Sequence, residues 1–547
     1  MNHKRKKISF QPDNYHTVMI LIAMLNILLI DYMVSLNGSG YVGLSLFMFW
    51  VIASVCSLWF SSLTAKVIRQ KISQSQNKSA KSFWKTALIC NVFPNALLSL
   101  TFFIFSDPVC QFLFLNRNMS LCVKIIALSF IPFGLICLLS GYLKGIGLLN
   151  PVRLVLIIQQ VLIFIFSVTG LWVVSEYGEK VSQLLNNVEI MAVYKATGAL
   201  AGALLGIIIG ILLLCVFILI LHKNQKESFS NDQHKNYDSF RYEIQTVFRY
   251  GISHILFSLT VLLVPLIDFI FYIRSEKTSS DITEIMQLAG VLFSVVLPLI
   301  IILLTLWKKI LFSFEYFMRN ALKEQNFQLF KEYVFGILRG CMAVMLPVTI
   351  LLVILSESVL KLLFGSAVQP DHITMFRVGS ILVFFLSYLL VLLQILRQIG
   401  MSSISVLFSL ISFMLQTFLG IFLIILYSFG IRGFFGSVYA DIVINTGLLL
   451  WYLGKRIHAS FLFQRSVLVN AALAFFTGFL IYLLYQNVCS AWQPLAAIFV
   501  CIFFYTVVYL FGMAVLPVMN EDDAGFIPGG ALFLQIKKLL HKEERGV

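Results

Sequence analysis

Three carboxylates stand where carboxylates are costly. Asp31, Asp268 and Asp441 each lie inside a long apolar run, and an ionisable side chain at the centre of a membrane-spanning helix costs on the order of 2.5–3.5 kcal/mol on insertion scales. Such a group either takes up a cation or proton during a transport cycle, or is tied by hydrogen bonds inside a helix bundle, or reaches outward to an interface. All three are candidates for ion coupling, with Asp441 leaning to the structural role. His254 and Arg339 sit near the ends of their runs, where long side chains reach water. A second group is basic: Lys66 and Arg69, in company with Lys71, Lys78, Lys81 and Lys85, then Lys144, Arg153 and Arg397. Clustered cations at a cavity mouth attract a pyrophosphate through long-range fields and charge-assisted hydrogen bonds. The plainer reading is that they orient the chain and bind anionic lipid. Gln159, Gln160 and Gln394, with Gln416, either line a sugar-binding cavity or bond across helices, where a polar pair is worth about 0.6 kcal/mol. The sequence carries no G-x-x-x-x-G-K-[ST] loop, no paired metal-ligand spacing and no G-x-S-x-G elbow. ATP-driven transport and enzymatic catalysis are therefore poor readings, and no metal or cofactor is expected.

The elements that must position these residues follow from composition. Of 547 residues, 59% are hydrophobic and 12% charged, against about 25% charged in an ordinary soluble domain. A packed globule of this make-up lacks the polar surface to stay dissolved, so the chain reads as an all-α polytopic membrane protein. About fourteen apolar stretches are long enough to cross the bilayer. The expected spans are 17–36, 41–63, 86–106, 121–141, 152–174, 196–221, 250–272, 287–307, 334–356, 374–396, 404–427, 432–453, 467–486 and 494–516. With a cytoplasmic N-terminus, thirty of the forty Lys and Arg fall on the inner side. A miscounted helix would erase that bias, so both ends are expected in the cytoplasm. The first run lacks an A-x-A cleavage site and is expected to stay as an anchor.

Segments recur about 250 residues apart. Ser106-Asp107-Pro108-Val109 reads like Ser356-Glu357-Ser358-Val359, Pro94 like Pro347, and Lys144-Gly145-Ile146-Gly147 like Arg397-Gln398-Ile399-Gly400. Each match moves by an even number of spans, which describes two parallel six-helix lobes plus two C-terminal helices, with cargo handled between the halves. The expected organisation is a basic N-terminus at 1–16, an N-lobe at 17–221, a polar linker at 222–249, a C-lobe at 250–453, two further spans within 454–516 and an amphipathic tail at 517–547. Cysteines inside the spans read as small apolar filler. Cys110 and Cys122 are near enough in topology to pair, though nothing in the sequence requires it.

Gly141-Tyr142-Leu143-Lys144-Gly145-Ile146-Gly147 with Asn150-Pro151, followed by Gln159-Gln160, resembles the turn and helix of the stage V sporulation protein B-like group. That group belongs to the polysaccharide exporters of the multidrug/oligosaccharidyl-lipid/polysaccharide (MOP) flippase superfamily. Thr197 to Gly206, Pro265-Leu266-Ile267-Asp268, Leu362-Leu363-Phe364-Gly365 and Ile431 to Gly436 continue the similarity. The resemblance implies a MATE-like fold, alternating access and a polyprenyl-pyrophosphate-linked saccharide as cargo, lipid II in this group. The chain departs from the pattern at the first helix, where Asp31 to Gly38 carries an acid and no arginine.

The leading expectation is a non-enzymatic flippase of a lipid-linked saccharide, moving it from the inner to the outer leaflet of a bacterial cell membrane. Its partners would be the lipid-linked cargo and anionic lipids, with envelope-synthesis enzymes as further partners and no nucleic acid. Two alternatives stay open: a cation-coupled exporter of small molecules, with Asp31 and Asp268 as its coupling acids, and a non-transporting scaffold for envelope synthesis.

Overall fold

In a bilayer every backbone N–H and C=O must be satisfied within the protein, so apolar runs of this length become helices. The computed structural model of the chain describes residues 14–224, 238–276, 282–457, 465–488 and 492–516, and these form helices and short turns with no strand among the described residues. The basic N-terminal cluster and the expected amphipathic tail lie outside the described residues. Among the described residues, fourteen helices are long and apolar enough to cross a membrane. In chain order they are α1 (Asn14–Val34), α2 (Leu36–Ser73), α3 (Asn77–Ile104), α4 (Ser120–Gly145), α5 (Leu149–Leu185), α6 (Val188–Asn224) and α7 (Phe240–Glu276), then α8 (Ile282–Lys323), α9 (Phe327–Ile354), α10 (Pro370–Gln398), α11 (Ser403–Leu426), α12 (Gly430–Ile457), α13 (Arg465–Asn487) and α14 (Pro494–Val515).

Several helices outrun their apolar cores. α5 and α6 have 37 residues each, or roughly 55 Å at 1.5 Å per residue, against about 30 Å of hydrocarbon. Hydropathy marks only the part that must sit in hydrocarbon; the Glu, Lys, Gln and Leu residues of 176–185 simply continue the helix. Asn186, at φ 49°, ends it in a left-handed turn. α7 likewise starts ten residues before the expected 250, because its first turns bury Glu243 and Val247 while leaving Tyr242 exposed. Inside two helices the chain widens into π-helical turns, Gly290–Val296 in α8 and Ile421–Leu426 in α11, a rare geometry that often marks functional positions.

The internal repeat is visible in local structure. α3 and α9 each have 28 residues with a proline inside, Pro94 and Pro347. Each is followed by a nine-residue helix, Ser106–Phe114 or Ser356–Phe364, and then by a short 3-10 turn. The turns after α4 and α10 both end on a left-handed glycine, Gly147 at φ 97° and Gly400 at φ 82°, a conformation only glycine adopts without strain.

The chain divides by packing into two compact units, each discontinuous in sequence. One comprises Ile22–Pro298 with Ser409–Asp441; the other comprises Leu299–Phe408, the residues before Ile22 and those after Asp441. In the first unit α5 and α6 touch along glycines. A Cβ on Gly202 would stand 2.0 Å from the Phe166 carbonyl oxygen, and one on Gly198 2.5 Å from that of Gly170. With no hydrophobic force between helices in lipid, such close backbone contact is what holds them together. A second core joins Trp59, Phe60 and Leu63 of α2 to Phe83 of α3 and Val247 of α7. In the other unit α13 and α14 pack on α9 through Ala474, Cys501 and Tyr505, and Ser358 hydrogen-bonds Tyr485 at 2.9 Å. Large apolar side chains such as Phe93, Phe418, Phe475 and Phe503 stand exposed on helix faces, as lipid-facing residues must.

Candidate functional site

The first unit holds a polar cluster inside otherwise apolar helices. Spacing of four residues puts Ser412 and Gln416 on one face of α11, and Ser437 and Asp441 on one face of α12. These faces meet Asp268 of α7. Gln416 Nε2 and Ser437 Oγ each donate to Asp268 Oδ2 at 2.6 Å. Ser412 Oγ lies 2.5 Å from Asp441 Oδ1 and 2.6 Å from the Asp441 carbonyl oxygen, and Asp441 is near enough to act on Asp268 electrostatically. Asp268, Gln416, Ser437 and Ser412 are fully buried and Asp441 nearly so. Asp268 Oδ1 has no hydrogen-bond partner among the described residues. It faces Gly420, where a Cβ would stand 2.7 Å away, and one residue beyond Gly420 the π segment of α11 begins.

Two neighbouring carboxylates whose side-chain partners among the described residues are all neutral hold a deficit of positive charge. Water cannot supply it at this burial, so a proton or a bound cation must. The donors available are hard oxygens: carboxylate, hydroxyl and the Gln416 amide oxygen. Such a set suits a proton or an alkali cation and not a soft transition metal.

Asp31 is fully buried on α1. Ser294 of the α8 π segment is its neighbouring hydroxyl, but that hydroxyl donates to the Ser39 carbonyl at 2.8 Å. A serine has one proton to give, so neither Asp31 oxygen is left with a donor among the described residues. Asp31 therefore sits beside a seam where α2 and α8 run in backbone contact. A Cβ on Gly40 would lie 1.9 Å from the Met286 carbonyl oxygen, one on Gly43 2.3 Å from Ser294 Oγ, and one on Gly290 2.0 Å from Ser39 Oγ. Gln287 Nε2 donates to Asn37 at 2.6 Å, Thr283 to Glu189 at 2.5 Å, and the Arg274 guanidinium donates to the Phe112 carbonyl at 2.8 Å while lying 4.6 Å from its ring.

The other candidates are scattered. Lys66 is exposed and lies 5.7 Å from the Tyr250 ring; Arg69 is exposed. Lys144 donates to Ser61 at 3.3 Å, and Arg153 to Asn150 at 3.2 Å. Lys71 is taken up by Asp238 and Ser79, and that hydrogen bond holds the Asp238 carboxyl below the usual carboxylate range. Gln159 is buried against Gly210 of α6, while the Gln160 carbonyl accepts from Asn26 at 2.9 Å. In the other unit Gln394 donates to Glu315 at 2.6 Å, and Arg397 is exposed. Cys110 and Cys122 are both free thiols, buried in the first unit. Sequence reasoning found both acids of the cluster but passed over Ser412 and Ser437. Their four-residue spacing with Gln416 and Asp441 was the available signal.

No family model matches the sequence, and no curated protein does. Solved structures do. The chain is similar to an inward-facing multidrug resistance MATE family transporter of the MOP superfamily, with 13% identity, a TM-score of 0.62, and 81% of this chain and 94% of that one covered. It is similar to the lipid II flippase MurJ in an inward closed conformation, with 13% identity, a TM-score of 0.64, and 92% and 97% covered. A MOP superfamily transporter from Pyrococcus furiosus Vc1 matches at 14% identity and a TM-score of 0.54, covering 82% and 95%. The chain shares the fold of these solved structures.

Proposed function

We propose that the chain is an alternating-access membrane transporter, driven by a proton or alkali cation taken up at Asp268 and Asp441, that flips a polyprenyl-pyrophosphate-linked saccharide from the inner to the outer leaflet. The observation that carries the coupling is the buried pair of carboxylates: their side-chain partners Gln416, Ser437 and Ser412 are all neutral. Asp31, at the α2–α8 seam, is the second coupling acid. The cargo class rests on extent. The flippase match covers 92% of this chain against 81% for the multidrug transporter, so the flippase is the nearer counterpart in length for a chain with fourteen spanning helices. A pyrophosphate would be drawn by Lys66, Arg69, Lys144, Arg153 and Arg397, with Gln159, Gln160 and Gln394 available for sugar contacts. Lys71 is excluded from that set because Asp238 neutralises it. The solved proteins of this fold reported above are transporters and a flippase, and the reading is of a carrier with no catalytic step. It places the chain in a bacterial plasma membrane with both termini cytoplasmic, among anionic lipids and near envelope-synthesis enzymes.

The test is cargo selection by the purified chain in sealed vesicles. A fluorescent lipid-linked saccharide is expected to reach the far leaflet faster than in protein-free vesicles. Transport of a small aromatic cation such as ethidium, with no movement of the lipid-linked saccharide, would replace this reading with the exporter. Movement of neither would favour the scaffold.

A further inference from the structure

The first unit contains a cavity that neither the carboxylate cluster nor the basic rim explains. It has a volume of about 270 Å³ and lies between the last turns of α2, the α2–α3 turn and the start of α7. Its walls include Gln70, Gln74, Gln76, Phe83, Tyr242 and Glu243. One edge is pinned: Lys71 Nζ donates to Ser79 at 2.6 Å and also to Asp238, and Ser79 donates to Asp238 at 3.1 Å. The joint is fixed further along α7, where Trp59 fills the space a Cβ on Gly251 would need. Glu243 is the unexplained member. Its Oε2 accepts from Thr86, but its Oε1 has no partner among the described residues, although Glu243 is only 1% exposed. Of the charged groups that line the cavity, Lys71, Asp238 and Glu243, the first two neutralise each other. The cavity is left with the negative charge of Glu243.

We propose that this cavity is a binding site for a primary ammonium group, whose N–H donors satisfy Glu243 Oε1. The chemistry selects that class. An anion would meet Glu243 and would have to displace Asp238 from Lys71. A bare metal ion would find one unengaged carboxylate and a space several times the roughly 30 Å³ share of a water molecule. An alkylammonium brings the charge, up to three donors for the carboxylate and the amide oxygens, and a carbon stem for the faces of Phe83 and Tyr242, which also attract cations. The group comes either from a soluble amine or from the headgroup of an aminophospholipid. Because the site is walled by both α2 and α7, occupancy braces the joint between them.

The experiment uses the purified full chain. In detergent, n-butylammonium chloride is titrated calorimetrically, with tetramethylammonium, which has no N–H, as the control. In lipid discs, thermal stability is compared between phosphatidylethanolamine and phosphatidylcholine. Saturable n-butylammonium binding, at least tenfold tighter than tetramethylammonium and at least tenfold weakened in Glu243→Gln, supports a soluble amine. A stabilisation specific to phosphatidylethanolamine that Glu243→Gln removes supports the headgroup. Thr246→Leu, which fills the cavity from a half-buried position on α7, is expected to weaken either effect and serves if Glu243→Gln does not fold. The inference is overturned if neither source acts, if tetramethylammonium binds as well as n-butylammonium, or if the variants leave the effect unchanged.

Discussion

Gly40→Ala places one methyl group at the tightest point of the α2–α8 seam. The new Cβ would lie 1.9 Å from the Met286 carbonyl oxygen and 2.7 Å from its carbon, whereas ordinary contact begins at 3.4 Å. Both neighbours are backbone, so no rotamer change relieves the clash, and the helices must part by about 1.5 Å or one must bend. Overpacking of this kind costs about 1–3 kcal/mol. Separation also weakens the Ser294–Ser39 and Gln287–Asn37 hydrogen bonds, each worth about 0.6 kcal/mol in a membrane bundle. The low end of that sum, about 2 kcal/mol, already moves the equilibrium between packed and parted seam by roughly 30-fold. Hydrogen–deuterium exchange reads this directly. Peptides covering 36–48 and 285–296 are expected to exchange at least tenfold faster in Gly40→Ala, with α5 and α6 unchanged. The control is Gly447→Ala in α12, where nothing lies within 4 Å of the added Cβ; there alanine is neutral or stabilising by up to about 1 kcal/mol. Unchanged exchange in the seam of Gly40→Ala would refute the reasoning that backbone contact closes it.

Gly420→Ala adds a methyl group 2.7 Å from Asp268 Oδ1 and is expected to abolish cation-driven transport while the melting temperature falls by only a few degrees; wild-type coupling in this variant would count against the site. Gly202→Leu, which drives a side chain into the Phe166 backbone 2.0 Å away, is expected to cost more than about 3 kcal/mol and to prevent recovery of folded protein in mild detergent. Lys71 holds Asp238 below the ordinary carboxylate range, so the pair stabilises the fold above the unfolded Asp pKa, and the contribution is lost as pH falls through the lower folded value. The melting-temperature difference between wild type and Asp238→Asn should therefore be full at neutral pH and shrink below about pH 4. Burial pushes the Cys110 thiol up to about 12, so maleimide at neutral pH should leave it unmodified until the protein is denatured.

The parts of this fold that were legible in the sequence are those imposed by solvent. A bilayer forces every apolar run of sufficient length into a helix, and the fourteen spans follow from that alone. Helix ends escaped the same reasoning. Hydropathy says nothing about Glu179 or Gln183, which extend α5, or about Phe240 to Arg249, whose amphipathic face is buried only because α2 and α3 stand opposite. The π segments at Gly290 and Ile421 carry no compositional mark. Asp268 and Asp441 were conspicuous because carboxylates are rare at such depth. Ser412 and Ser437 were not, since serine is common in spanning helices and often sits against its own backbone, as Ser437 Oγ does 2.9 Å from the Phe434 carbonyl. The fate of Lys71 was unreadable for another reason: its partner Asp238 lies far along the chain, and only folding brings a basic residue of α2 to the start of α7.

The central claim is that Asp268 and its neighbours turn a cation or proton gradient into movement of cargo. The most direct measurement is the flipping rate of a lipid-linked saccharide in vesicles holding an imposed sodium or pH gradient, for wild type and for Asp268→Asn. The asparagine keeps the size of the side chain and an acceptor for Ser437 while removing the charge. The account predicts that one of the two gradients accelerates the wild type at least tenfold and leaves Asp268→Asn at its gradient-free rate, with both proteins equally folded. Equal acceleration of the two proteins, or a wild type indifferent to both gradients, would contradict it.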